Sequence, residues 1–140
     1  FGKVEYYGRG DVETYNDRKQ AGRIGRYRTT AEAMFHYYVK PQATGNRTDV
    51  RWASFSDTKN RLMVAARSPF QFSAVPFSDP VIDRATHINQ LSRDGLLTIH
   101  LDADQSGVGT ATCGPGVAEQ YRVPIQSTTF EFVLYPAVSR

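Results

Sequence analysis

Cysteine is almost absent from this chain of 140 residues, which contains only Cys113. A single cysteine excludes an internal disulfide framework and a cysteine-rich zinc site. It leaves the cellular compartment open, because cytosolic and exported proteins can both lack disulfides. Long apolar runs are missing as well: no stretch approaches the roughly 20 apolar residues of a membrane helix, so we expect no membrane partner.

Charge is unevenly distributed along the sequence. Residues 1–67 contain 13 Lys and Arg against 7 Asp and Glu, whereas residues 68–140 contain 4 against 7. Arg23, Arg26, Tyr27 and Arg28 form a basic cluster with an aromatic residue, a combination that suits nucleic acid. Acidic residues at positions 11–17 dilute this cluster and no recognised nucleic-acid motif is present. We therefore predict a solvated surface or a contact with a neighbouring domain, and no nucleic-acid partner.

Short alternating runs rich in β-branched and aromatic residues predict one all-β domain, residues 1–140, built as an antiparallel β-sandwich. Residues 8–10 should turn the chain, residues 11–30 should form an ordered loop, and residues 37–39 return to β preference. Brief helices are expected at residues 30–35, capped by Thr30, and at residues 79–85. About eight strands are expected, at residues 1–7, 48–55, 61–66, 70–75, 86–91, 96–102, 121–123 and 128–135.

Alternation within the strands predicts which side chains are buried. Val50 and Trp52 are two residues apart and should share the buried face, which places Trp52 in the core. In the later strand, Leu97, Ile99 and Leu101 should share one face, with His100 on the other.

A glycine-rich stretch, residues 105–116, separates the strand at residues 96–102 from the next strand-like run. It contains four glycines, Pro115 and the only cysteine, so its backbone can adopt conformations closed to most residues and project a side chain. Binding groups are common on loops carried by a rigid β scaffold. A plain hairpin connection remains the other interpretation.

Several local patterns suggest chemistry, and each lacks a required part. Residues 102–107 begin like an EF-hand calcium loop, but the twelfth position is Cys113 where the site needs a bidentate Glu. His87 and His100 could join Asp102 around a metal, yet no local ligand spacing supports them, so each histidine is expected to be a hydrogen-bonded neighbour. Nothing near Cys113 indicates a low-pKa thiolate nucleophile, and no carboxylate pair is singled out for glycoside hydrolysis.

A set of ordered motifs resembles the C-terminal domain, or small-chain region, of β-galactosidases of glycoside hydrolase family two. The resemblance extends along nearly the whole chain. The motifs are Gly8-Arg9-Gly10 with Glu13, Tyr15, Asp17 and Arg18; Pro41-Gln42 with residues 45–52; residues 70–74; Ala85-Thr86-His87; Ile99-His100-Leu101-Asp102; Gly107-Val108-Gly109 through Cys113-Gly114-Pro115; and Tyr121-Arg122.

This resemblance implies the C-terminal half of a galactose-mutarotase-like supersandwich in a retaining enzyme that hydrolyses β-galactosides. The two catalytic glutamates, and the magnesium and sodium ions near them, would belong to the catalytic domain of the parent chain, so no catalytic or metal-binding residue is expected in this segment. The glycine-rich stretch would reach the mouth of the active site, where some members have Trp and others Cys at the position of Cys113. The substrate-pocket residues are then Gly109, Thr110, Thr112, Cys113 and Gly114.

The sequence departs from the family pattern where Asp11 and Asn16 replace frequent prolines and where Ala43-Thr44 follows Pro41-Gln42. These changes leave the substrate open, since related family-two enzymes act on other β-glycosides. By resemblance the complete enzyme would be a homo-oligomer; a cytoplasmic location is favoured and a periplasmic one stays open. The alternatives are a stand-alone carbohydrate-binding module that uses exposed aromatic residues and a structural or oligomerisation domain. The module would use Tyr6, Tyr7, Tyr37 or Tyr38.

Overall fold

Antiparallel β-strands make up most of the regular structure in the computed structural model, which describes residues 2–110 and 114–138. The predicted all-β, sandwich-like class is confirmed, with six strands among the described residues where about eight were expected. No helix within these ranges is long and apolar enough to cross a membrane. The strands are β1 (Lys3–Gly10), β2 (Arg23–Thr30), β3 (Arg47–Ser56), β4 (Asn60–Val75), β5 (Thr98–Asp102) and β6 (Phe132–Val138); the helices are α1 (Ala31–Met34) and α2 (Asp79–Arg84), with 3₁₀ turns at Ile88–Gln90 and Glu119–Tyr121.

The six strands form one antiparallel sheet in the order β2-β1-β3-β4-β5, and β6 also pairs with β4. Strand β4 has 16 residues and is shared: residues 60–66 pair with β6 and residues 71–75 pair with β5. The two strands predicted at residues 61–66 and 70–75 are therefore one continuous strand. This long strand connects the part of the sheet that holds β6 to the part from which the glycine-rich stretch departs.

One face of the sheet carries the hydrophobic core. Tyr6, Phe55 and Phe72 are at most 1% exposed on this face, and Met34 of α1 packs among them. Burying a large apolar side chain contributes on the order of 1.5–3 kcal/mol, so these residues dominate the stability of the sheet. The predicted helix at residues 30–35 is confirmed as α1, and the Thr30 hydroxyl accepts a hydrogen bond from Ala33 N at 3.1 Å. As predicted, Leu97, Ile99 and Leu101 face this core.

Trp52 is not in the core, so that prediction is wrong. The pairing of β3 with β4 is irregular between Arg47 and Trp52, which interrupts the strict alternation of faces. Val50, Ala53 and Phe55 are buried as a result, whereas Trp52 is only half-buried and lies on the opposite face.

The loop predicted at residues 11–30 ends early, because residues 23–30 form β2. The side chains of β2 are mostly exposed, which is why the sequence lacks the apolar alternation of a half-buried strand. The turn predicted at residues 8–10 is also wrong, since β1 continues to Gly10. A Cβ on Gly8 would lie 2.8 Å from Val50 Cγ2, so this glycine permits close packing rather than a turn.

Two further strand predictions fail. Residues 121–123 form no strand, and residues 86–91 contain a 3₁₀ turn; the β preference of residues 37–39 also produces no strand. Within residues 86–91 the Gln90 side chain accepts hydrogen bonds from Thr86 N and His87 N, so local side-chain bonds replace a strand ladder. The helix predicted at residues 79–85 is confirmed as α2.

Candidate functional site

The candidate site is the glycine loop, by which we mean residues 105–116. Three of the five predicted pocket residues, Gly109, Thr110 and Gly114, have described positions. Thr112 and Cys113 lie outside the described residues. The described residues include the two limbs of the loop, which fix where its tip begins and ends.

The two limbs of the glycine loop meet next to its tip. Thr110 donates to the Pro115 carbonyl oxygen twice, from its backbone N at 3.3 Å and from its hydroxyl at 3.1 Å. Gly109 has a φ of +63°, a conformation that favours glycine, and a Cβ there would lie 2.9 Å from Pro115 O. A Cβ on Gly114 would lie 1.9 Å from the Thr110 hydroxyl oxygen. Both glycines are therefore required for the close approach of the limbs.

Asp17 holds the first limb from outside the glycine loop. Its carboxylate accepts hydrogen bonds from Val108 N at 3.0 Å and from Gly109 N at 2.6 Å. A Cβ on Gly107 would lie 2.4 Å from the Asp17 carboxyl carbon, so only glycine lets the carboxylate approach this backbone. Gly107 N also donates to Tyr121 O at 2.8 Å, which joins the first limb to the segment that follows the glycine loop.

Asp17 belongs to the anchor loop, residues 11–22, which is itself fixed to the sheet. Thr14 is fully buried, and its hydroxyl accepts from Thr48 N at 3.0 Å while its backbone N donates to Asn46 O at 2.9 Å. The buried Arg47 donates to Asp11 O at 3.1 Å. These bonds make the anchor loop an ordered support for the glycine loop.

A network of side-chain amides joins the sheet to the start of the glycine loop. The buried Asn46 donates to Gln71 Oε1 at 2.7 Å, and Gln71 Nε2 donates to Asp104 Oδ1, also at 2.7 Å. Asn16 donates to the same Asp104 oxygen at 2.7 Å and to Gln105 O at 2.8 Å. The Asn16 side-chain amide therefore supplies two of the bonds that hold the start of the glycine loop.

A polar pocket of about 450 Å³ lies between the anchor loop and the start of the glycine loop. Lys19, Asp49, Asp104 and Gln120 are among its lining residues. Burial by itself would raise the pKa of Asp49, but hydrogen bonds and charge from Arg9 and Lys19 outweigh it and lower the pKa. Asp49 is therefore ionised at neutral pH and unsuited to act as a general acid, which needs a raised pKa.

The histidines have local partners. The His100 ring lies 3.0 Å from the Ser73 hydroxyl and 3.1 Å from Asp79 Oδ2, and the His87 ring lies 3.0 Å from the Thr86 hydroxyl. Across residues 2–110 and 114–138, no group of three or more His, Cys, Asp or Glu is arranged to hold a metal ion. The described part of the chain therefore offers no such cluster to the magnesium ion that the family resemblance implies for the parent chain.

Sequence reasoning located the glycine loop but missed its supports. Asp17 and Gln71 each belong to a motif that carries the family resemblance, but nothing in those motifs indicates that either residue supports the glycine loop. The one local signal was the run Gly107-Val108-Gly109, whose free backbone N–H groups need an acceptor.

The sequence profile of the family described as "Beta galactosidase small chain" matches residues 1–134. The chain belongs to this family. Relatives of this small-chain family member include the β-galactosidase of Staphylococcus xylosus, 28% identical over 134 residues, and that of Kluyveromyces lactis, 35% identical over 133 residues. The β-galactosidase BgaC of Bifidobacterium adolescentis is 35% identical over 130 residues.

The small-chain match covers most of this chain and little of each relative. It covers 96% of this chain in the S. xylosus comparison, 93% with K. lactis and 89% with B. adolescentis. It covers 14%, 13% and 12%, respectively, of the relatives themselves. The shared segment is thus a small part of a much longer enzyme in these relatives.

Proposed function

We propose that this chain is the C-terminal segment of a retaining β-galactosidase that hydrolyses terminal β-D-galactosides. The observation that carries this proposal is the family match over residues 1–134, together with relatives named β-galactosidase that match along most of the chain. The catalytic glutamates, with magnesium and sodium ions beside them, would lie in the part of the parent chain outside this segment. The isolated segment would then be inactive.

The contribution of this segment to the site would be the glycine loop, placed at the mouth of the active site with Cys113 on the pocket wall. Support comes from the way its limbs are held: Asp17, Asn16 and the Thr110–Pro115 contact fix both sides of the tip. A loop that positions substrate must be held to within a fraction of an ångström, and bonds to an ordered support provide this. A thiol offers less stacking area than an indole, so the leaving-group side of this pocket should be wider than in members with Trp.

Protection of Cys113 by a substrate analogue tests this placement. The complete parent enzyme would be treated with iodoacetamide, and alkylation of Cys113 would be followed by peptide mass spectrometry with and without isopropyl β-D-thiogalactoside. We expect the analogue to slow alkylation at least fivefold. Equal rates would contradict a pocket-wall position, and an analogue without a galactosyl group, isopropyl β-D-thioglucoside, is the matched control.

Kinetics of Cys113→Ala in the complete enzyme provide a second test. A pocket-wall residue on the leaving-group side should change the ratio of kcat/KM between o-nitrophenyl and methyl β-D-galactoside, because only the larger leaving group contacts it. An unchanged ratio would instead favour a structural role for the domain. Thr128→Ala, at an exposed position outside the glycine loop, serves as the control.

The alternative of a stand-alone carbohydrate-binding module loses one of its aromatic residues. Tyr6 is 1% exposed and stacks on Tyr27 inside the sheet, so it cannot contact a sugar. Tyr7 and Tyr37 remain exposed. Galactose binding by the segment alone, measured by calorimetry, would favour the module over a part of a larger active site.

A further inference from the structure

We call the face of the sheet opposite the core the outer face. Some of its side chains are apolar, and several of them remain exposed to solvent. Directly paired residues of an antiparallel sheet point to the same side, so the register of the strands defines this face. One row across five strands consists of Arg26, Tyr7, Trp52, Ala65 and Val133. On β1, Tyr7 of this face is 39% exposed, whereas Tyr6 on the core face is 1% exposed. On β6, Val133 of this face is 51% exposed, and its neighbour Leu134 on the other face is 49% exposed.

The next row of the outer face combines apolar and charged side chains. It consists of Arg28, Glu5, Ser54, Met63 and Tyr135. Tyr135 is 52% exposed and Met63 is half-buried. The two rows therefore have an apolar end on β4 and β6 and a charged end on β1 and β2.

The charged end has an excess of guanidinium groups. Glu5 accepts from Arg26 at 2.8 Å and Arg28 at 3.3 Å, and Arg61 lies 3.7 Å from its other oxygen. Burial by itself would raise the pKa of Glu5, but Arg26 and Arg28 outweigh this and lower it, so the carboxylate stays charged. One carboxylate thus faces three cations, and the Arg28 side chain remains 80% exposed.

Aromatic rings hold two of the arginines at this surface. The guanidinium carbon of Arg26 lies 5.5 Å from the Trp52 ring centre, and that of Arg51 lies 5.5 Å from the Tyr7 ring centre. Stacked guanidinium groups are restrained but keep donors that point outward, so they can pair with carboxylates at little further cost in side-chain entropy.

We propose that the outer face is the surface on which another part of the parent β-galactosidase chain docks. The docking part would present carboxylates to Arg28 and Arg61 and apolar side chains to Met63, Val133 and Tyr135. This inference rests on the proposed function, because it requires a longer parent enzyme around this segment.

Size and charge favour this occupant over a second copy of the chain. Five strands at about 4.8 Å spacing and two cross-strand rows about 6.8 Å apart give a face of roughly 300 Å², which is the lower end of the area that one side of a contact between domains of one chain buries. A stable dimer usually needs about 800 Å² per partner. A second copy would also bring the same arginine-rich end, which cannot supply the missing carboxylates. The relatives contain abundant additional chain, since the matched segment is only 12–14% of their length.

Hydroxyl-radical footprinting of the complete enzyme tests the docking. Tyr135 and Tyr37 are a matched pair, 52% and 41% exposed in this segment. We expect Tyr135 to be oxidised at least fivefold more slowly than Tyr37 in the intact enzyme. Equal rates would overturn the proposal, and protection that disappears when the enzyme dissociates on dilution would assign the face to a second copy instead.

Charge reversal separates docking from local folding. Arg28→Glu should raise the oxidation rate of Tyr135 several-fold, whereas Arg84→Glu on α2 should leave it unchanged. Oxidation of the buried Tyr6 reports any unfolding of β1, in which case the milder Arg28→Gln replaces the first variant. Protection of Tyr135 that is insensitive to both Arg28 variants would overturn the charge-paired docking.

Hydrolysis of o-nitrophenyl β-D-galactoside by the unmodified enzyme is assayed in parallel. An inactive enzyme in which Tyr135 is protected would refute the proposed function and support the docking. An active enzyme in which Tyr135 is not protected would support the proposed function and refute the docking.

Discussion

Replacing Asp17 by alanine removes both acceptors that hold the first limb of the glycine loop. The lost hydrogen bonds are those from Val108 N and Gly109 N. A hydrogen bond to a charged group contributes about 1.5–3 kcal/mol, but these amides lie near the surface and water can replace part of the interaction. We therefore expect the loop to lose about 2 kcal/mol of local stability, which corresponds to a roughly 30-fold rise in its opening equilibrium.

Amide hydrogen exchange in the complete enzyme measures this opening directly. In Asp17→Ala, exchange at Val108 and Gly109 should accelerate by about 30-fold, while the amide of Phe72 in β4 should be unaffected. Asp17→Asn keeps one acceptor oxygen without the charge, so its exchange rates at Val108 and Gly109 should lie between those of Asp17→Ala and the unaltered protein. Asp83→Ala, at an exposed position on α2, is the matched control. Unchanged exchange at Val108 and Gly109 in Asp17→Ala would refute the view that this carboxylate fixes the loop.

Three further predictions concern the sheet. Gly8→Ala should destabilise β1 by about 1–3 kcal/mol, because its Cβ would lie 2.8 Å from Val50 Cγ2, and faster exchange of the Tyr6 amide would report this; Gly2→Ala, with nothing within 4 Å, is the control. Phe72→Ala should cost about 3–5 kcal/mol, seen as accelerated exchange throughout β4, whereas Val39→Ala, at a position 80% exposed, should cost far less. Glu5→Gln should remove about 1 kcal/mol at neutral pH, a small value because its arginine partners are largely exposed. Since the folded pKa of Glu5 is lowered, its contribution is present above the unfolded pKa of about 4.3 and is lost as pH falls through the folded pKa. The stability difference between Glu5→Gln and the unaltered protein, measured by exchange of β1 amides, should therefore shrink on acidification; a difference that persists unchanged at pH 3 would contradict this.

Apolar alternation and capping residues correctly predicted the elements in which buried and exposed side chains follow each other regularly. β3, β5 and α1 appear near their expected positions, because their apolar periodicity and the Thr30 cap are local properties. β2 was not predicted, because it lies at the edge of the sheet and has no regular apolar alternation. Its arginines are instead stabilised by Glu5 on the neighbouring strand. That pairing depends on a residue 21 to 23 positions away, which no local pattern reveals.

The assignment of Trp52 shows how one irregularity can reverse a prediction. Strict alternation from Val50 would bury Trp52, but the register shift before it moves the indole to the outer face. There it meets Arg26 instead of the core. This changes the interpretation of the basic cluster as well. Tyr27 packs on Tyr6 in the core, while Arg26 and Arg28 lie on the outer face, so the four clustered residues do not form one surface.

The glycine loop was predictable from composition, whereas its geometry was not. Glycines allow many backbone conformations, so their number identifies a loop without choosing its shape. The shape follows from groups distant in sequence: Asp17 binds the loop backbone, and Asn16 and Gln71 bind Asp104 at its start. Where the loop requires glycine, a close neighbour leaves no room for a Cβ. At Gly107 that neighbour is the Asp17 carboxylate. The shape of the glycine loop therefore depends largely on the anchor loop, and substitutions in residues 11–22 should alter that shape as strongly as substitutions in the glycine loop itself.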